Sequence, residues 1–295
     1  MRVTQGMLSG NMLRNLSQSY SRLGKYQDQL ATGKKINRPS DDPVVAMKGM
    51  FYRTNLTEVE QFKRNFSEAY NWVENTDAAL DKATEALQRI RELTVQASNG
   101  TYEESQRQAI GDEVAQLKEH LVTIANTKVG DKYIFNGTNT LTQPVQIDSD
   151  GKITGTPTGQ QEVTIELAKG IYLPVNLRPD QVFNQDFFDK IEKLQGNLEN
   201  GGSTTDIGQS LADIDENLKA ILSSRSEIGA RTNRLEMMEA RIDEQEVIAN
   251  RILSDNEDAD IERVITDLKT QESVHRAALG VGSRIIQPTL MDFLR

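Results

Sequence analysis

Residues 206–254 read DIGQSLADIDENLKAILSSRSEIGARTNRLEMMEARIDEQEVIANRILS. Ile207, Ile214, Ile221, Ile228, Leu235, Ile242 and Ala249 stand seven apart along it. A seven-residue repeat keeps one helix face apolar over many turns and demands a packing partner. Leu211 and Leu218 fill the alternate positions early, and Arg225, Thr232, Glu239 and Glu246 fill them later, so the apolar seam narrows. No proline interrupts the run. One long helix that cannot bury its stripe alone is the expectation.

The partner lies in the N-terminal half. Between 44 and 98, Val59, Phe66, Val73, Leu80, Leu87 and Thr94 form one heptad series. Phe62, Ala69, Thr76, Ala83, Ile90 and Ala97 form its companion, three or four residues away. At 1.5 Å per residue this helix would be about 80 Å long. Shorter helices fit 103–128, with Ile110, Val114, Leu117, Leu121 and Ile124, and 186–199, with Phe187, Ile191, Leu194 and Leu198.

In the middle the period changes from 3.5 to 2. Val163, Ile165 and Leu167 alternate with polar residues up to Lys169-Gly170, and Ile171, Leu173, Val175 and Leu177 alternate after it, which predicts a hairpin. Asn136-Gly137 and Asp150-Gly151 are further turn signals. Asn200 to Thr205, NGGSTT, reads as a flexible connector. The fold class is therefore mainly α with a small β domain. It is an elongated helical bundle or coiled-coil rod built from N- and C-terminal halves, with a β-rich insertion. The helical rod takes 44–132 and 186–254, and the β-rich outer domain takes 133–185.

The two ends, 1–43 and 255–295, mirror each other as terminal coiled-coil segments. Leu13, Leu16, Tyr20, Leu23 and Leu30 form one stripe, and Val264, Leu268, Val274, Ala278, Val281 and Ile285 form the other. Five or six apolar side chains do not offset the entropy of ordering some 30 residues. The end segments are expected to be poorly ordered in the monomer and to fold when they meet each other or a neighbouring subunit.

Composition excludes several functions. A formal net charge of −10 without a basic stripe opposes binding to nucleic acid or to an anionic membrane. The absence of cysteine removes disulfides, thiolate catalysis and cysteine-ligated zinc. No run approaches the ~20 apolar residues of a membrane span, and MRVTQGMLSGNMLRNL lacks the apolar core of a secretory signal. By composition alone the chain reads as cytoplasmic. The histidines, His120 and His275, stand on predicted helices without ligand or nucleophile spacing, and Gly33-Lys34-Lys35 lacks the rest of a phosphate loop. Neither enzyme activity nor a cofactor is expected.

Leu30 to Pro43, LATGKKINRPSDDP, is a helix stop followed by a helix start. Gly33 suits the left-handed C-cap position. Asp42 can cap the next helix, with Pro43 in its first turn and Asp41 beside the dipole. Residues 255–268, DNEDADIERVITDL, place Glu257, Asp258 and Asp260 at a further helix start. The first stretch, with Gly33, Ile36, Asn37, Pro39, Asp41, Asp42 and Pro43, resembles the N-terminal motif of flagellins and hook-associated proteins. The second resembles their C-terminal motif, and the ending IIQPTLMDFLR, with Ile286, Leu290, Phe293 and Leu294, is similar to their tail. The resemblance covers about the first 140 and last 90 residues.

Within that superfamily three features resemble the hook–filament junction subunits. They are the prolines in Arg38-Pro39-Ser40-Asp41-Asp42-Pro43, the run Tyr133-Ile134-Phe135-Asn136-Gly137-Thr138, and the ending Met291-Asp292-Phe293-Leu294. The resemblance implies an extracellular structural subunit of the flagellum, exported by the flagellar type III apparatus without a cleaved signal, which overturns the cytoplasmic reading. It implies a ring of copies, the first hook-associated protein on the hook side and flagellin on the filament side. It also implies a cytoplasmic export chaperone that covers Val274, Ala278, Val281, Ile285 and Ile286. Filament flagellin itself, or a generic secreted coiled-coil adaptor, are the alternatives.

Overall fold

The isoleucine ladder forms one unbroken helix. The computed structural model describes residues 5–99, 102–148, 152–155, 157 and 161–286. Six helices carry most of them: α1 (Gln5–Thr32), α2 (Pro43–Ser98), α3 (Glu104–Ala125), α4 (Gln185–Glu199), α5 (Thr204–Glu257) and α6 (Ile261–Ile286). Three small antiparallel sheets lie between α3 and α4. They are β1 (Lys128–Val129) with β2 (Lys132–Tyr133), β3 (Gln146–Ile147) with β4 (Ile153–Gly155), and β5 (Thr164–Ala168) with β6 (Ile171–Pro174). The protein is mainly α with a small β region. It divides into a unit of residues 59–244 and a unit of residues 1–58 with 245–295.

In the 59–244 unit the core runs along α2 and α5 and continues into α3, α4 and the β region. Every ladder position from Ile207 to Ile242 is buried. So are both α2 series from Phe66 to Ala97, joined by a third row of Trp72, Ala79, Ala86 and Leu93. Arg91–Asp215 at 2.6 Å and Arg225 with Asp77 at 3.2 Å and Asp81 at 2.8 Å flank the seam and fix the helices antiparallel. Thr76 and Thr94 are tolerated inside because each hydroxyl donates to the carbonyl four residues back, Trp72 O and Ile90 O, at 2.7 Å.

The companion row on α5 lies three residues, not four, after each ladder position. Ser210, Asn217, Ser224, Arg231 and Met238 are the buried set, whereas Leu211 and Leu218 are only half-buried. Apolarity chose the leucines, but helix geometry puts the +3 row inside. Its polar groups are satisfied there. Ser210 and Ser224 bond to carbonyls of their own helix, and Asn217 donates to Phe187 O at 3.0 Å. Arg231 donates to Pro174 O and Asn176 O and pairs with Glu162 and Glu227.

The predicted hairpin forms, with Gly170 at φ 74° in its turn and Ile165 opposite Leu173. Around it the strands are two or three residues long, so the β region is held by aromatic packing more than by ladders. Phe135 and Phe183, 4.9 Å apart, meet edge to face, as do Phe183 with Phe187 and Phe187 with Phe188, while Phe183 stacks on Phe188. Asp150-Gly151 lies outside the described residues. Asn200 to Thr205 is a tight helix–helix turn, not a flexible connector. Gly201 adopts φ 70°, Gly202 N–H donates to Asn197 O at 2.8 Å, and Ser203 and Asp206 cap α5 reciprocally. A Cβ on Gly202 would stand 2.8 Å from that same carbonyl, so this glycine is required for close approach.

Candidate functional site

The two terminal motifs meet in the unit of residues 1–58 and 245–295. Gly33, at φ 69°, closes α1 with its N–H on Gln29 O at 2.8 Å. That left-handed turn aims the chain across residues 257–259. Lys35 N–H donates to Glu257 O at 2.7 Å, and Ala259 N–H donates to Gly33 O at 2.8 Å, an antiparallel bridge pairing Lys34 with Asp258. The loop 36–42 then turns back on its own side chains. Asp41 Oδ2 accepts from Arg38 N–H at 3.1 Å, and Asn37 Oδ1 accepts from the Thr32 hydroxyl at 2.8 Å. Asp42 Oδ1 caps α2 at Val44 and Val45 N–H. Ile36 and Pro39 lie in this loop.

Of the three C-terminal acids only Asp260 starts a helix, accepting from Arg263 N–H at 3.1 Å. Glu257 ends α5 instead and is 5% exposed. Its Oε2 lies 2.7 Å from Arg53 Nη2 and 3.7 Å from Lys34 Nζ. Room for it comes from Gly49, where a Cβ would stand 2.5 Å from Glu257 Oε1. Asp258 accepts from Lys34 Nζ and from the Ser254 hydroxyl, both at 2.6 Å. The Lys34 bond, then Ser254, holds its carboxyl below the usual aspartate range. Reading the acids by type put all three at a helix start. Their neighbours across the chain, Lys34, Gly49 and Arg53, carry no local signal of this pairing.

Beyond the clasp, α1 and α6 pack on each other. Leu16 and Leu23 are half-buried, and Val264 and Leu268 are buried. Ser19 is buried in the same seam, with its Oγ 2.9 Å from Gln271 Nε2 and 3.1 Å from His275 Nδ1. Gly282 faces Met12, whose Cε would stand 2.5 Å from a Cβ at that position. The stripe read from apolar residues is therefore split. Leu13, Tyr20 and Leu30 are exposed, as are Val274 and Val281, while Ala278 is half-buried. Leu16, Val274, Ala278 and Val281 help line an open groove of about 750 Å³. The side chains of Ile285 and Ile286, and residues Leu290, Phe293 and Leu294, lie outside what the structure describes.

This unit presents most of the large apolar side chains exposed among the described residues. Val44, Met47, Met50 and Phe51 are 57–63% exposed on the first turns of α2, and Val247 is 68% exposed on α5. Among the described residues no His, Asp and Glu side chains gather as a metal site, and no helix is long and apolar enough to cross a membrane.

Comparison with known proteins places this geometry. Residues 3–140 match the bacterial flagellin N-terminal helical region, and residues 211–294 match the bacterial flagellin C-terminal helical region. The chain is 24% identical to flagellar hook-associated protein 3 of Escherichia coli, over 93% of each protein. It is 30% identical to the flagellar filament 31.3 kDa core protein of Treponema maltophilum, over 72% of this chain and 71% of that one. The crystal structure of Bacillus cereus FlgL superposes with a TM-score of 0.59 at 26% identity, covering 69% of this chain and 99% of that one. With both terminal motifs clasped in one unit and both terminal regions matched, the chain belongs to the flagellin family.

Proposed function

We propose that this chain is a structural subunit of the bacterial flagellum that joins hook to filament and acts as the adaptor on which flagellin polymerises. The observation that carries this reading is the end-to-end similarity to a hook-associated protein 3, spanning 93% of both chains. The apolar side chains exposed on the terminal unit support it, because a subunit buried among neighbours needs surface that is wasteful in a monomer. Its partners are neighbouring copies in a ring, the first hook-associated protein on one side and flagellin on the other. The role is assembly, not catalysis. The subunit reaches the cell exterior through the flagellar type III apparatus.

The terminal segments, 1–43 and 255–295, order on incorporation. Before export a cytoplasmic chaperone covers α6, where Val274 and Val281 stand more than half exposed. Truncating the chain after about residue 260 should abolish chaperone capture. Retained capture would place the chaperone site elsewhere.

Similarity to the Treponema filament core protein favours a second reading, the filament subunit itself. Deleting the gene in its host separates the two. Electron micrographs showing hooks without filaments, with flagellin released to the medium, establish the junction role. Hooks without filaments and no flagellin anywhere establish the filament subunit. Normal flagella overturn both.

A further inference from the structure

The clasp between the terminal motifs joins the end of α5, the start of α2 and the first connector at one residue. Glu257 takes Arg53 of α2 and Lys34 of the first connector on its carboxylate, while its main-chain carbonyl accepts Lys35 N–H. The next residue, Asp258, pairs with the same Lys34. The connectors offer little apolar packing of their own, since Ile36, Pro39 and Ala259 are the apolar side chains in Gly33 to Asp42 and Asp258 to Asp260. Hydrogen bonds and ion pairs therefore hold them, and a carboxylate as buried as Glu257 is stable there only while its cations are in place. Gly49 shapes the site, because the first carbon of a side chain at that position would stand 2.5 Å from Glu257 Oε1 and push the carboxylate aside.

The geometry also fixes where α1 and α6 meet. α1 ends at Thr32 and α6 begins at Ile261, each within three residues of the Lys34–Asp258 bridge. Helix ends tied together in this way find each other at a higher effective concentration than ends joined only through the start of α2 and the end of α5. We propose that the cluster of Glu257, Arg53, Lys34 and Gly49 is an ion-pair latch that nucleates the pairing of α1 with α6. Closure brings the helices into register; opening releases both while α2 and α5 stay folded. The device is independent of which neighbours the subunit meets.

The test uses the full chain, whose lack of cysteine leaves engineered thiols unopposed. Ser19→Cys with Gln271→Cys reports α1–α6 pairing through its rate of cross-linking by a short bismaleimide. Asp77→Cys with Arg225→Cys reports the α2–α5 seam as a control. Glu257→Gln removes the charge and keeps the shape, and Gly49→Ala keeps the charge and fills its space. Each is expected to slow the 19–271 cross-link by at least about 10-fold and to leave the control rate unchanged. A rate within about two-fold of the parent in either variant overturns the latch. Slowing of the control pair as well overturns it too, since the residue would then support the whole helical body and not the terminal pair. Protection of α1 and α6 amides in the parent monomer would bear on ordering upon incorporation and leave the latch rates to be read separately.

Discussion

Ser19 on α1 and His275 on α6 meet with Oγ 3.1 Å from Nδ1, and the same Oγ lies 2.9 Å from Gln271 Nε2. The buried hydroxyl thus joins two polar side chains inside an otherwise apolar seam. Such a group favours one register, because sliding α1 by a turn would leave all three without partners. Ser19→Ala should weaken the pair by about 1–2 kcal/mol. Hydrogen exchange of α1 and α6 amides in assembled protein would then speed up roughly 5- to 30-fold.

Arg231 shows the opposite balance, a buried cation with every neighbour satisfied. Its guanidinium reaches Pro174 O, Asn176 O, Glu162 and Glu227 and so pins the hairpin onto α5. Arg231→Ala is expected to cost about 3–5 kcal/mol, the usual result of breaking a buried pair from one side. Urea unfolding of the full chain would show the lower midpoint. Arg231→Met, which keeps the volume, should cost less.

The isoleucine ladder and the flanking leucines of α5 can be told apart by truncation. Ile221→Ala removes a fully buried side chain and should cost about 2–5 kcal/mol. Leu222→Ala, at a position 47% exposed, should stay within about 0.5 kcal/mol. The half-buried Leu218 should fall between them. Equal losses at 218 and 221 would mean that Leu218 is buried as fully as the ladder.

Acid should act on the clasp through Asp258. Its carboxyl titrates below the ordinary range because Lys34 and Ser254 hold the charged form, with Lys35 adding attraction. A depressed native pKa gives stability that is complete above the unfolded value of about 3.9 and lost as pH falls through the native one. Glu257 with Arg53 faces the same cluster. Terminal-helix content followed by circular dichroism should thus be flat from pH 8 to about 5 and fall below about 4. Asp258→Asn should remove part of that step.

Brief proteolysis of the monomer should cut first within α1 and α6 and leave a fragment carrying α2 to α5. The terminal stripes bury few side chains, with Leu13, Tyr20 and Leu30 exposed, so little opposes local opening. Cleavage that begins instead in the 59–244 unit would contradict ordering upon incorporation.

Periodicity and turn chemistry were legible in the chain itself. The heptads of 59–97 and 207–242 specified long helices with one apolar face, and Lys169-Gly170 specified a hairpin whose glycine takes φ 74°. These are local properties, because side-chain direction repeats with the helix or strand and a left-handed turn admits few residue types. The terminal motifs were legible as caps for the same reason. Three features were decided only when distant segments met. Asn217 and Arg231 of the +3 row are inside because partners on other segments satisfy them. Ser19 is buried because Gln271 and His275 lie opposite. Glu257 left the helix start its type suggested because Gly49 made the space and Arg53 and Lys34 supplied the charge. A polar group's burial depends on what faces it, and for these residues that lies up to some 250 positions away along the chain.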